Sequence, residues 1–158
     1  MEQPIQLVDV TPGGKLRLNG PALQQLRNVG RPACVIGIIG KYRDGKSYLL
    51  NRIFACKPGE GFDLGHSVKG ETKGIWLWYR LVDDAYVVLL DCEGTGDVDR
   101  RDSELDVKLA ILVTLLTSYL IVNLKGALDE TTLSQLQYEI FIVRAADGIG
   151  LLRNSRKI

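Results

Sequence analysis

Hydrophobic and polar positions alternate with two different periods along this chain, and the changes of period mark its elements. Ile5 to Val10 and Lys15 to Leu18 alternate with period two around Thr11-Pro-Gly-Gly14, which predicts a small hairpin at a sheet edge. Leu23, Leu26 and Val29 recur every three residues between Pro21 and Gly30, which predicts a short amphipathic helix that Arg31-Pro32 ends. Val35, Ile36, Ile38 and Ile39 form the short β-branched run of a strand buried on both faces. Helical spacing returns with Leu49, Leu50 and Ile53, predicting a helix from Lys46 to about Phe54.

After that helix, the stretch from Lys57 to Glu71 carries Gly59, Gly61, Gly65, Gly70 and Pro58, and reads as a long functional loop. Thr72 to Tyr79 and Ala85 to Leu90 alternate around Asp83-Asp84 and predict an antiparallel strand pair. A charged loop from Asp97 to Asp106 leads into a helix from about Asp102 to Thr117, followed by a strand from Tyr119 to Asn123. A last helix is expected from Asp129 to about Ala145, with Leu133, Leu136, Ile140 and Val143 as its core stripe. The apolar run Leu109 to Leu124 is interrupted by Thr114, Thr117, Ser118 and Asn123. It is also shorter than the roughly 20 residues of a spanning helix, so it reads as a buried helix entering a buried strand.

Candidate chemistry concentrates where the first buried strand meets its helix. Gly40-x-x-x-x-Gly45-Lys46-Ser47 is a phosphate cradle. Its glycines let successive backbone N–H groups turn toward phosphate oxygens, Lys46 reaches the β/γ-phosphates and the Ser47 hydroxyl takes a place on Mg²⁺. Eight residues alone would also fit a glycine turn, but a β-branched strand before them and a helix after them are the setting the cradle requires. A second acid, Asp91, ends the strand Ala85 to Leu90 and precedes Cys92-Glu-Gly-Thr-Gly-Asp97, where a nucleotide-binding sheet carries its Mg²⁺-directed carboxylate. An ordinary strand-to-loop turn would look the same if this segment stood alone.

The 158 residues are 46% hydrophobic and 25% charged, as expected of one soluble domain. A net charge of +1 argues against nucleic acid as a partner, and a single histidine argues against zinc. Cys34, Cys56 and Cys92 are odd in number and have no C-x-x-C pairing, which suits a reducing compartment. Neither a secretory leader nor a C-a-a-X box is visible, so the expectation is a cytoplasmic protein with no lipid anchor encoded in this chain.

Three segments together carry a family resemblance: Gly40-Lys-Tyr-Arg-Asp-Gly-Lys-Ser-Tyr-Leu-Leu-Asn51, Glu71-Thr-Lys-Gly-Ile-Trp-Leu-Trp78 and Leu90-Asp-Cys-Glu-Gly-Thr-Gly-Asp-Val98. In this order they resemble the phosphate-side motifs of the guanylate-binding proteins, interferon-inducible large GTPases of the dynamin superfamily. The similarity runs from about Ile5 to Ala145. Atlastins are a more distant match, usually carrying Gln where Glu93 stands.

The resemblance implies an α/β fold of the P-loop NTPase type: a three-layer sandwich around a mostly parallel central sheet, with an antiparallel strand pair and an N-terminal hairpin. It implies that GTP and GDP are bound along the cradle residues Gly40, Lys41, Tyr42, Arg43, Asp44, Gly45, Lys46 and Ser47. Leu64, Gly65 and His66 match the loop that wraps the nucleotide, and Asp91, Cys92, Glu93, Gly94 and Thr95 match the second switch. Catalytic parts fall to Arg43 as an internal arginine finger, to Lys46, to Thr72 of the first switch, and to Glu93 and Gly94, which sense the γ-phosphate. Mg²⁺ is the implied cofactor, with Ser47, Thr72 and Asp91 as its ligands.

Nucleotide-dependent pairing, as a homodimer or with related GTPases, and a role in innate defence are implied in the same way. Two departures stand out. Gly70 replaces a serine that helps organise the attacking water, and the chain ends before the family's guanine-reading Arg-Asp pair, its guanine-capping loop and its C-terminal helical domain. The expectation is therefore a partial GTPase domain, 1–158. The alternative is a catalytically impaired module that docks onto full-length relatives. An ATPase or small-molecule kinase would leave Thr72-Lys-Gly-Ile-Trp76 unexplained.

Overall fold

The computed structural model describes residues 3–29, 33–41, 43–54, 56–57, 59–64, 74–92 and 103–124, together with 130 and 134. In chain order the elements are β1 (Ile5–Val10), β2 (Leu16–Leu18), α1 (Gly20–Arg27), β3 (Ala33–Gly40), α2 (Lys46–Ile53), β4 (Gly74–Val82), β5 (Ala85–Cys92), α3 (Ser103–Leu116) and β6 (Tyr119–Asn123). Local sequence accounts for several boundaries. Asn19 caps α1 by accepting a hydrogen bond from the Ala22 N–H on its Oδ1 at 3.4 Å, and Pro21 stands in the first turn, where its missing N–H costs nothing. Asp83 turns the β4–β5 hairpin with φ at +51°, a left-handed conformation that Asp tolerates better than most residues.

The six strands form one sheet in the order β2-β1-β4-β5-β3-β6. β5, β3 and β6 run parallel, while β2-β1, β1-β4 and β4-β5 are antiparallel. The fold is thus α/β with a mixed sheet, of the P-loop GTPase type. Among the described strands two of five pairings are parallel, fewer than the mostly parallel sheet expected. The reason is the N-terminal hairpin. It does supply the sheet's edge through β2, but β1 pairs with β4 and so enlarges the antiparallel half.

Alternation along the strands splits the apolar side chains between two faces. Leu7, Val8, Ile39, Ile75, Leu77, Val88, Leu90 and Cys92 pack against Ala22 of α1 and Leu109, Ala110 and Val113 of α3. On the opposite face Ile38, Trp78 and Leu89 pack against Leu50 of α2 and Phe62. Helices therefore cover both faces, which makes the three layers and explains the unbroken apolar run of β3.

The run Leu109 to Leu124 is divided between α3 and β6, and Ser118 at their junction ties back to β3 through its N–H on the Val35 carbonyl at 2.7 Å. Among the described residues no helix is long and apolar enough to cross a membrane. The expected last helix, Asp129 to Ala145, and the charged loop up to Asp102 lie outside the described residues. The exceptions are Glu130 and Ser134, both helical, where the Ser134 hydroxyl donates to the Glu130 carbonyl at 2.8 Å.

Candidate phosphate and magnesium site

Three parallel strands bring three chain segments to one edge of the sheet. Ile38 stands opposite Asp91 and Gly40 opposite Asn123, so the carboxyl ends of β5, β3 and β6 finish side by side. In open α/β sheets this carboxyl edge is where ligands bind. The cradle, residues 40–47, leaves β3 here and enters α2. Gly45 caps α2 at φ +81° and ψ +24°, in the left-handed region, and Arg43 is also left-handed at φ +60°. A non-glycine residue there carries backbone strain of roughly 1–3 kcal/mol, which persists only where the surroundings impose it.

Lys46 opens α2 and is buried at 6% exposure. Its Nζ donates to the Lys41 carbonyl at 2.8 Å, crossing the loop it belongs to. The next residue, Ser47, donates its hydroxyl to Asp91 Oδ2 at 2.6 Å. Asp91 faces α2 because strand alternation puts it on the same side as Leu89, and it too is 6% exposed. Its other oxygen, Oδ1, is buried without a hydrogen-bond partner among the described residues. Burial pushes the Asp91 carboxyl up to about 6, against the downward pull of the Ser47 hydrogen bond and the Lys46 charge.

An unsatisfied carboxylate oxygen beside a hydroxyl is a donor set suited to a hard cation. Mg²⁺ characteristically takes one or two protein oxygens and completes its shell with phosphate oxygens and waters. Among the described residues no group of three or more His, Cys, Asp or Glu gathers to cage a metal unaided. Ser47 and Asp91 fit the open kind of site, in which substrate supplies the remaining ligands.

Not every candidate falls into this cluster. The Cys92 side chain turns to the other face and packs in the α1/α3 core, so only its backbone is available at the edge. Leu64 is 47% exposed, two residues past the point where the loop after α2 is anchored. There Asn51 donates Nδ2 to the Phe62 carbonyl at 2.8 Å and accepts the Phe62 N–H on Oδ1 at 2.9 Å, while the Phe62 ring meets Trp78 edge-on at 6.2 Å. Arg80 adds a hydrogen bond to the Phe54 carbonyl at 3.0 Å and lies over the Trp78 ring. Tyr42, Gly65, His66, Thr72, Glu93, Gly94 and Thr95 lie outside the described residues.

Two asparagines to which the motifs assigned no role hold loops that carry candidate residues. Asn51 holds the loop after α2, and Asn123 donates Nδ2 to the Asp44 carbonyl at 2.7 Å. A signal for each was present, since Asn is a poor residue for a helix interior or a strand.

The family model described as "Guanylate-binding protein, N-terminal domain" matches residues 13–147. The chain is 40% identical over 138 residues to guanylate-binding protein 2 of Homo sapiens, covering 85% of this chain and 23% of that protein. It is 39% identical over 141 residues to guanylate-binding protein 7 of Mus musculus, covering 87% and 22%, and 38% identical over 141 residues to guanylate-binding protein 1 of Chlorocebus aethiops, covering 87% and 23%. The chain thus spans less than a quarter of the length of the curated relatives it matches.

Proposed function

This chain belongs to the guanylate-binding protein family, and from that premise we propose that it binds GTP and GDP with Mg²⁺ and hydrolyses GTP. The observation that carries the proposal is the meeting of Lys46, Ser47 and Asp91 at the carboxyl edge of β3 and β5. Phosphoryl transfer leaves a protein little covalent chemistry to perform, so catalysis is positioning plus stabilisation of charge. Lys46 presents a fixed ammonium beside the cradle. Ser47 and Asp91 present oxygens for the cation, which when bound would neutralise charge on the β- and γ-phosphates. Arg43 is assigned to the charge that develops on transfer, and Thr72, Glu93 and Gly94 to closing over the γ-phosphate and sensing it. Tyr42, Leu64, Gly65, His66 and Thr95 complete the nucleotide's surroundings in this reading. A partial GTPase domain, cytoplasmic placement and nucleotide-dependent pairing with itself or with related GTPases belong to the same proposal.

Calorimetric titration with Mg²⁺ and GTP, GDP or ATP, together with phosphate release, tests it. Binding should be lost without Mg²⁺, and Lys46→Ala should raise the dissociation constant roughly a hundredfold, about 2.7 kcal/mol, because a buried charge-assisted contact disappears. GTP and ATP should bind within roughly tenfold of each other, since the residues assigned above address phosphate and metal, which both nucleotides share. Unchanged affinity in Lys46→Ala would refute the cradle reading, and absence of phosphate release would refute hydrolysis.

A further inference from the structure

At the end of β6 the Asn123 carboxamide lies against the cradle. Its Nδ2 donates to the Asp44 carbonyl at 2.7 Å across 79 positions of sequence. Chemistry settles which end of the amide faces Asp44, because a carbonyl oxygen only accepts. The main chain of Asn123 meanwhile pairs with Gly40, and a Cβ on Gly40 would stand 2.4 Å from the Asn123 carbonyl oxygen. One residue therefore touches the first glycine of the cradle with its backbone and the residue before the second glycine with its side chain.

A trans peptide is planar, with its C=O and N–H on opposite sides. No cis peptide occurs among the described residues. Drawing the Asp44 carbonyl toward β6 thus fixes the N–H of Gly45, in the same peptide plane, to the side away from β6. Left-handed residues at 43 and 45 belong to the kind of backbone turn that gathers N–H groups into an anion-binding concavity. We infer that Asn123 is a positioning residue for the cradle, holding the Asp44 carbonyl outward so that the Gly45 N–H faces the polyphosphate before any ligand arrives. This rests on the nucleotide reading above and extends it to a residue outside the phosphate motifs. The chemistry served is the phosphate chain and not the base, so inorganic tripolyphosphate should feel the same loss as GTP.

Titrating the full chain and two variants, Asn123→Ala and Asn123→Asp, with Mg²⁺–GTP and with tripolyphosphate tests the inference. Asn123→Ala should weaken both ligands about tenfold through loss of one preorganising hydrogen bond. In Asn123→Asp at pH 8 a carboxylate would face the carbonyl with no proton to donate, so binding should be at least as weak. On acidification to pH 5 the carboxyl begins to protonate, favoured by the facing Asp44 carbonyl oxygen, which accepts a hydrogen bond only from the protonated form, and can donate again. Its affinity should then return to within about threefold of the unsubstituted chain at the same pH, as expected where a single hydrogen bond is restored.

Asn123→Ala should show no such recovery, which separates donation of a hydrogen bond from packing. Asp91 titrates in all three chains and cancels in the ratio. If Asn123→Ala does not fold by circular dichroism, the Asn123→Asp series decides alone. An Asn123→Ala affinity within twofold of the unsubstituted chain, or no recovery of Asn123→Asp at pH 5, overturns the inference. Absence of binding by the unsubstituted chain overturns the nucleotide reading and this inference with it.

Discussion

Replacing Arg43 by alanine is expected to slow GTP turnover by this chain roughly 10³-fold or more, the range an arginine finger supplies, while changing nucleotide affinity by about threefold or less. The guanidinium stabilises charge that exists fully only in the transition state, so its removal should fall on turnover rather than on ground-state binding. The motivation is its place within the cradle, held left-handed at φ +60° in a position that is not glycine. Arg43→Gly gives a second reading of the same question, because it removes the side chain and the backbone strain together. Both variants should be equally slow, and Arg43→Gly should be the more stable of the two. Single-turnover kinetics beside equilibrium titration separates the two quantities. Equal losses in rate and affinity would refute the arginine-finger role of Arg43.

Asp91→Asn should stabilise the nucleotide-free chain and abolish its Mg²⁺-dependent binding. Burial lifts the native carboxyl to about 6 from an ordinary value of 3.8, so the native state holds its proton more tightly than the unfolded chain. Stability therefore falls as pH rises through that window. Above it, the buried carboxylate costs on the order of 3 kcal/mol, at 1.36 kcal/mol for each pH unit of displacement. Asparagine keeps the shape and can still accept from Ser47, but carries no charge. In urea melts the variant's advantage should be near 3 kcal/mol at pH 7.5 and should shrink toward zero by about pH 4. With Mg²⁺ and nucleotide the order should reverse, because only the unsubstituted chain gains binding energy. An advantage independent of pH would locate the effect elsewhere.

Most of the fold was legible because its elements have strong periods. Tyr119–Asn123 and Ile5–Val10 match the expected strands residue for residue, and Ser103–Leu116 falls within one residue of the expected helix at each end. The pairing of β1 with β4 was not legible. Alternation marks a strand but says nothing about which neighbour it takes, and that choice joined the N-terminal hairpin to the antiparallel side of the sheet. In the site, Lys46, Ser47 and Asp91 could be read because their chemistry is tied to local spacing at strand ends. Asn123 stood out only as an unusual strand residue and its role was not legible, since its partner lies 79 positions away and only the parallel register of β3 and β6 brings the two together. Cys92 shows the same limit in reverse. It adjoins Asp91 in sequence, yet strand alternation sends its side chain to the opposite layer.

The mixed sheet also bears on how the chain reaches its native state. Its antiparallel half contains two pairings between neighbours in sequence, β1 with β2 and β4 with β5, whose contacts close short loops, while β1 with β4 spans a long one. Its parallel half joins β3 to partners that begin far downstream, as do the Ser47–Asp91 and Asn123–Asp44 hydrogen bonds, and loop closure makes such contacts slow to form. The hairpins should gain protection first in pulse-labelled hydrogen exchange, with amides of β3 and β6 following. Simultaneous protection of both halves would contradict this order. Phosphate binding would then be among the last properties to emerge, so a folding intermediate of this chain could carry most of its β-structure while remaining blind to nucleotide.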